Sequence, residues 1–231
     1  MKIGIIGAGN IGGALARRLG GLGHAVAVAN SRGPQTLGEL ADQPGVTAVT
    51  VGEAANGRDL VVVTIPQAKV PDLPGDLFAG EPADLVIVDT GNYYPRQRDG
   101  RIAAIEDGAV ESEWVAGQLG RPVLKAFNNI YADHLEHSGK DKGAAGRIAL
   151  PVAGDDEHAR TVVMGLVDEL GFDAVDAGPL AGSWRQQPGT PVYTADMDTY
   201  DVRHALGEAR PERPADFSAT SDSPGSYDQP A

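Results

Sequence analysis

Gly7-Ala8-Gly9-Asn10-Ile11-Gly12 has the G-x-G-x-x-G spacing, and the chemistry that such a spacing serves is phosphate binding. The three glycines act differently. Gly7 permits a tight turn, Gly9 lets pyrophosphate reach the backbone, and Gly12 lets helix and strand pack closely. The context separates this motif from an ordinary glycine-rich turn. Before it runs Lys2–Ile6, a β-branched apolar stretch that reads as a strand buried on both faces. After it Ile11, Leu15, Leu19 and Leu22 recur on one helical face, and Gly20 and Gly21 end the helix near Arg17 and Arg18. A helix so placed aims free N–H groups and its positive dipole end at the phosphates of a dinucleotide.

The second informative spacing lies some twenty residues on, after the strand Ala25–Ala29, where NAD-binding chains place an acid for the ribose 2′-hydroxyl. This chain has Asn30-Ser31-Arg32 instead. A carboxylate would repel a 2′-phosphate, whereas a serine hydroxyl and a guanidinium bind it by charge-assisted hydrogen bonds, so the expected cofactor is NADP.

Further along the chain, strands are expected at Val46–Val51, Asp59–Thr64, Asp84–Asp89 and Pro122–Phe127, with helical or loop segments between them. Pro34 suits the first turn of a helix carrying Leu37, Leu40 and Ala41, and Ser112–Leu119 and Tyr131–His137 also read as helices. A further strand, Ile148–Ala153, the helix Asp155–Leu170 and the strand Phe172–Asp176 continue the alternation. This order predicts an α/β fold: a Rossmann-type, doubly wound, mostly parallel sheet in a single domain, with a short C-terminal extension. The expected divisions are 1–185 for the NADP-binding domain, 186–210 for the extension, with a helix at Thr199–Ala209, and 211–231 for a polar tail, disordered or draped on the surface.

In such a sheet ligands lie outside the carboxyl ends of the strands. The segments arriving there are Gly7–Ile11, Asn30–Arg32, Thr64–Gln67, Asp89–Asn92 and Phe127–Asn129. They hold no Ser-His-Asp set and no carboxylate pair. Lys125 is either an acid or the partner of Asp89 or another carboxylate; Tyr93, Tyr94 and Tyr131 are ring contacts or packing; Trp184 is packing or a lid. Asp133, His134 and His137 share a helix face at ligand-like spacing, an arrangement that more often is a solvated surface, and no metal is expected. The lack of an acid–base set favours hydride transfer between two rings, which needs only close positioning and exclusion of water.

Composition limits the partners. The 231 residues, 42% hydrophobic, suffice for one sizeable core, and the absence of cysteine excludes disulfides and thiolate chemistry. A net charge of −13 disfavours nucleic acid and anionic membranes. The longest apolar run, around Leu60–Pro66, is too short to span a bilayer, and strand residues directly after Met1 leave no room for a leader; the expected location is the cytoplasm. A small-molecule redox partner is expected, and a homodimer is left open.

The chain resembles the F420-dependent NADP oxidoreductases over about residues 1–195. The likeness rests on GAGNIGG, the turn NSRG, the strand end TIP at Thr64–Pro66, and LPVAGDDEHARTVVMGLVDELG followed by DAGPL. It implies that Ala8, Gly9, Asn10 and Ile11, with Asn30, Ser31 and Arg32, hold NADP, and that Thr64, Ile65, Pro66 and Gln67 line the nicotinamide side. It also implies coenzyme F420, a deazaflavin, as the hydride acceptor. Archaeal members carry a histidine-containing loop after strand six, where this chain has Phe127-Asn128-Asn129-Ile130; that segment resembles the reductase domain of the six-transmembrane metalloreductases, which use flavin. Phe127 and Asn128 are therefore added to the expected cofactor-binding set. Two other readings stand beside this one: a reductase of a small C=N or C=O compound, and an NADPH-sensing module without catalysis.

Overall fold

A computed structural model describes residues 1–231. Its centre is a six-stranded parallel sheet of β1 (Lys2–Ile6), β2 (Ala25–Ala29), β3 (Val46–Ala48), β4 (Leu60–Val63), β5 (Val86–Asp89) and β6 (Leu124–Lys125), in the order β3-β2-β1-β4-β5-β6. Register follows the apolar runs, with Ile3 opposite Val26 and Leu60, and Ile5 opposite Val28 and Val62. The order reverses between β1 and β4, so the crevice at their carboxyl ends is the place where a ligand can enter.

Helices cover both faces: α1 (Asn10–Gly21), α2 (Gly38–Ala41), α3 (Val51–Ala55), α4 (Ala103–Glu106), α5 (Glu111–Leu119), α6 (Ala132–His137), α7 (Glu157–Glu169) and α8 (Thr199–Glu208). The period-two alternation of the strands divides the core. Ile3, Ile5, Leu60 and Val62 bury against Leu15 and Leu19 of α1, Leu135 of α6, and Val163 and Leu166 of α7. Ile6, Val61, Val63 and Ile87 face the other way, toward Ala54, Ala55, Phe78 and Val115. No helix is long and apolar enough to cross a membrane.

Local chemistry moves several expected boundaries. The strand expected at Val46–Val51 stops at Ala48, because Thr50 caps a helix instead: its hydroxyl accepts from the Glu53 N–H at 3.3 Å and its own N–H donates to the Glu53 carboxylate at 2.8 Å. The helix expected after Pro34 is broken into one turn at Pro34–Thr36 and the short α2. β6 holds only two residues; Pro122 lacks an N–H to donate, and Phe127 turns the chain with a φ of 60°.

The largest departure concerns the later strands. β7 (Ala149–Val152) and β8 (Asp173–Asp176) form a separate parallel pair rather than extending the main sheet in parallel. The pair meets it by one antiparallel bridge, Lys125 with Ala153, closed by N–H···O bonds of 2.8 and 3.0 Å. The physical cause is the route of the chain after β6. α6 docks on α1, where Arg17 pairs with Glu136 and Arg18 donates to the Glu136 carbonyl at 2.8 Å, so there is no full crossover helix to return the chain in the same direction. The extension then closes over this pair, burying Val192, Val202 and Leu206 against Ala149 and Val175.

Residues 211–231 make several contacts with the rest of the chain. Arg213 donates to the buried Glu111 carboxylate at 2.7 Å and lies over the Tyr93 ring, while Gly225 and Ala231 donate backbone N–H groups to the Arg96 carbonyl at 2.8 and 3.0 Å. Glu111 is fully buried, and desolvation raises its pKa despite Lys125 and Arg213. Truncation after Arg210 is expected to cost about 1–3 kcal/mol at neutral pH, the range for stranding a buried polar partner. The sign with pH follows from the raised folded-state pKa. Ionised Glu111 without Arg213 is unfavourable, so the deficit is full above that pKa and shrinks as acid protonates the carboxyl. Urea denaturation of full-length and truncated chains at neutral and mildly acidic pH measures it; equal stability at neutral pH would mean that the tail contributes nothing.

Candidate functional site

The three motif glycines are separated by what a Cβ on each would meet. At Gly7, with φ 114°, it would lie 2.2 Å from the Thr64 carbonyl oxygen, and at Gly12 it would lie 1.9 Å from that of Gly7. Those two are demanded by the close approach of β1, β4 and α1. A Cβ on Gly9 meets no protein atom within 4 Å. The space it would enter lies at the start of α1, where Gly9 caps the helix without any side-chain bond and the first intrahelical bond is Gly13 N–H to Gly9 C=O at 2.7 Å. The N–H groups of Asn10, Ile11 and Gly12 thus have no helical partner, which suits an anion.

From this point a groove of about 780 Å³ runs past Ala8 and Gly13 to Arg32 and Gln35. Asn30 shapes its far turn rather than facing it. Its amide donates to Thr36 Oγ1 at 2.8 Å and its carbonyl accepts the Arg32 N–H at 3.0 Å. Ser31 and Arg32 are left exposed, and the Arg32 guanidinium makes no hydrogen bond or ion pair. The one carboxylate lining the groove is Glu39.

On the other side of Gly9 and Asn10, which line both spaces, a cleft of about 410 Å³ opens over the carboxyl ends of β1, β4 and β5. Thr64, Ile65 and Pro66 are at one side and Thr90, Asn92, Tyr94 and Arg98 at another, with Asn128, Ile130 and Tyr131 from the segment after β6. Tyr193 and Thr194 of the C-terminal extension complete it. Three amides clamp these segments together. Asn128 donates to Asn92 Oδ1 at 3.0 Å and to the Gln186 carbonyl at 2.6 Å, and Gln186 returns a bond to Asn128 Oδ1 at 3.0 Å. Arg98 is the sole charged residue on the wall, and its guanidinium is held by the Asn92 carbonyl at 2.7 Å and Asp99 at 2.8 Å.

Of the residues expected to bind cofactor, Gly9, Asn10, Ile11, Thr64, Ile65, Pro66 and Asn128 meet at this cleft, and Ala8 and Arg32 at the adjoining groove. Gln67 and Phe127 do not line either space. Gln67 is fully buried and donates to the Glu111 carbonyl at 3.2 Å; Phe127 turns into the core beneath α6. Lys125 is likewise fully buried, with its ammonium 3.1 Å from Asp89 and on the Gly91 carbonyl, so it acts as a partner rather than as an acid. Tyr93 is packing: its hydroxyl donates to the Gly100 carbonyl and accepts the Ile102 N–H, both at 2.9 Å, and burial raises its pKa. His137 pairs with Asp133 at 3.1 Å, but His134 turns to Asp196 at 2.7 Å, so the three do not converge on one point.

Sequence reasoning missed Arg98, Tyr193 and Thr194. The last two sit where periodicity is lost, and no local pattern places an aperiodic segment against a distant cleft. Tyr193 and Tyr94 pair through their hydroxyls, and burial raises the pKa of both, so both are neutral at physiological pH.

Residues 2–93 match the family described as NADP oxidoreductase, coenzyme F420-dependent. The hypothetical protein SMa0349 from Sinorhizobium meliloti superposes with a TM-score of 0.74 at 32% identity, over 85% of this chain and 95% of that one. The Escherichia coli K12 protein YjhV is 39% identical over 90 residues, which is 37% of this chain and 66% of that protein. Metalloreductase STEAP3 of Rattus norvegicus is 27% identical over 184 residues, 79% of this chain but 35% of that protein, so the chain spans only part of both of these relatives. With its glycine turn, its strand order and its near full-length likeness to SMa0349, the chain belongs to the coenzyme F420-dependent NADP oxidoreductase family.

Proposed function

We propose that the protein passes hydride between NADPH and a flat ring acceptor, a deazaflavin of the coenzyme F420 type or a flavin. The observation that carries this reading is the cleft of about 410 Å³ beside the phosphate-binding turn, walled by Tyr94, Tyr131 and Tyr193 with Arg98 as its one charged residue. Its size is that of a small-molecule site, and its wall offers ring faces and amides rather than an acid–base set. When bound, NADPH supplies a hydride to the electron-poor ring position of the acceptor, a carbon in a deazaflavin and a nitrogen in a flavin, leaving NADP⁺ and the reduced acceptor.

The fit of NADP to this chain rests on the open space at Gly9, the unpartnered first-turn N–H groups of α1, and the free guanidinium of Arg32. Ala8–Ile11 would hold the pyrophosphate, Ser31 and Arg32 the 2′-phosphate, and Thr64–Pro66 would flank the nicotinamide. Gly7, Gly12 and Asn30 act one step back, by shaping the turns. Arg32→Ala is expected to cost about 1.5–3 kcal/mol of NADPH binding, the range for hydrogen bonds to a charged group, and to change NADH binding little. Calorimetry with both cofactors checks it; equal losses would make Arg32 a structural residue.

A small C=N or C=O substrate is the second reading, favoured by the Tyr94–Tyr193 hydroxyl pair on the wall. Following nicotinamide absorbance with a deazaflavin, a flavin, a cyclic imine and a ketone separates the readings. Oxidation of NADPH by either ring acceptor is expected. Turnover of the imine or ketone alone would replace the ring-acceptor reading, and tight NADPH binding without any turnover would leave a sensing module.

A further inference from the structure

Tyr94 and Tyr193 reach the cleft from segments almost a hundred residues apart, one after β5 and the other in the C-terminal extension. Each is held from behind. The Arg98 guanidinium lies 5.2 Å from the centre of the Tyr94 ring and is itself fixed by Asn92 and Asp99. Phe217 meets the Tyr193 ring edge-on at 6.4 Å. The next residue, Thr194, has φ 54°, a left-handed conformation that a β-branched residue seldom adopts, and its N–H donates to the Asn129 carbonyl at 2.9 Å. Strain of this kind collects at functional sites.

The two hydroxyls carry two protons between them, and their mutual bond uses one. Neither hydroxyl has another partner in the protein. One O–H donor is therefore left over on the wall of a cleft whose other polar side chains are Arg98, three asparagines, three threonines and Tyr131. Acceptance of the bond from its neighbour polarises that remaining O–H and makes it a better donor.

We infer that the Tyr94–Tyr193 hydroxyl pair recognises a carbonyl oxygen of the acceptor ring, conjugated to the ring atom that takes the hydride. This deepens the ring-acceptor reading and rests on it. Hydride addition places an electron pair in the conjugated system, and negative charge builds on that oxygen; a fixed donor stabilises it there. Burial keeps both tyrosines protonated, so the pair donates a hydrogen bond without giving up its proton, and the final proton comes from water. The class of acceptor that fits is a flat ring bearing a carbonyl, as opposed to a ring system of equal size without one.

Equilibrium titration with two tricyclic probes tests this, with NADP⁺ at saturation: flavin mononucleotide, which carries ring carbonyls, and phenazine, which has none. The double variant Tyr94→Phe/Tyr193→Phe is expected to bind the flavin about tenfold more weakly, the worth of one net hydrogen bond. Its phenazine affinity should stay within about twofold of wild type, the spread of independent effects. Retained NADPH affinity shows that the variant is folded. Equal losses for both probes would make the pair a packing element and overturn the inference, as would unchanged flavin affinity, and both outcomes leave the ring-acceptor reading standing. A wild-type protein that binds neither a flavin nor a deazaflavin removes the reading and the inference together.

Discussion

Gly9→Val abolishes NADP binding and leaves the fold intact: this is the expected result with the largest effect. Gly9 has φ −76° and ψ −163°, backbone that any residue adopts, and a Cβ there touches no protein atom within 4 Å. Nothing inside the protein resists the substitution. The valine instead fills the space in front of the first-turn N–H groups of α1, where a pyrophosphate must sit to use them. Neighbouring glycines give the contrast. Gly12→Ala would push a methyl to 1.9 Å from the Gly7 carbonyl oxygen and 2.7 Å from Thr64 Cγ2, so that variant should lose stability rather than binding alone. Calorimetry of NADP binding together with thermal melts distinguishes the two. A Gly9→Val protein with wild-type affinity would remove the phosphate site from this turn.

Lys125→Ala is expected to be the most destabilising single change outside the glycines, at about 3–5 kcal/mol, because it leaves a buried carboxylate without its counter-ion. Asp89 is 1% exposed and Lys125 fully buried, 3.1 Å apart. Asp89 would retain the Ser112 hydroxyl and the Gly91 N–H, both at 2.7 Å, which satisfy its oxygens but not its charge. The ammonium also sits on the Gly91 carbonyl, so its removal loosens the loop that carries Gly91 and Asn92 to the cleft. Urea unfolding gives the stability loss, and single-turnover kinetics below the melting transition should show hydride transfer little changed in the folded fraction. Normal stability with a collapse in hydride transfer would return Lys125 to the role of an acid and favour the small-substrate reading.

The two effects differ in how far each was legible. Gly9 stands in a contiguous motif whose geometry is local: strand, turn and helix follow one another within about twenty residues, so spacing alone points to this turn as the candidate phosphate site. The turn at Asn30–Arg32 is readable for the same reason, through residue type at a fixed distance. Lys125 allowed two readings until its surroundings were known, since a lysine near a strand end carries no sign of whether Asp89, solvent or a substrate faces it.

Sequence by itself determined the α/β class, most strands of the parallel sheet and the crevice at their carboxyl ends. These follow from apolar periodicity and glycine chemistry, which act over a few residues. Only the tertiary structure decided which side chains occupy that crevice. Gln67 and Phe127 turn inward because the backbone after β4 and β6 rotates them there, Phe127 through its positive φ. Tyr193 and Thr194 turn toward it because a far segment closes over β7 and β8 and is clamped by Asn128 and Gln186. The reversed entry of β7 was hidden for the same cause, since α6 docks on α1 through Arg17, Arg18 and Glu136 across more than a hundred residues. Periodicity reports how a segment folds, but the wall of this cleft away from the glycine turn is made of contacts between segments, and those are set by packing.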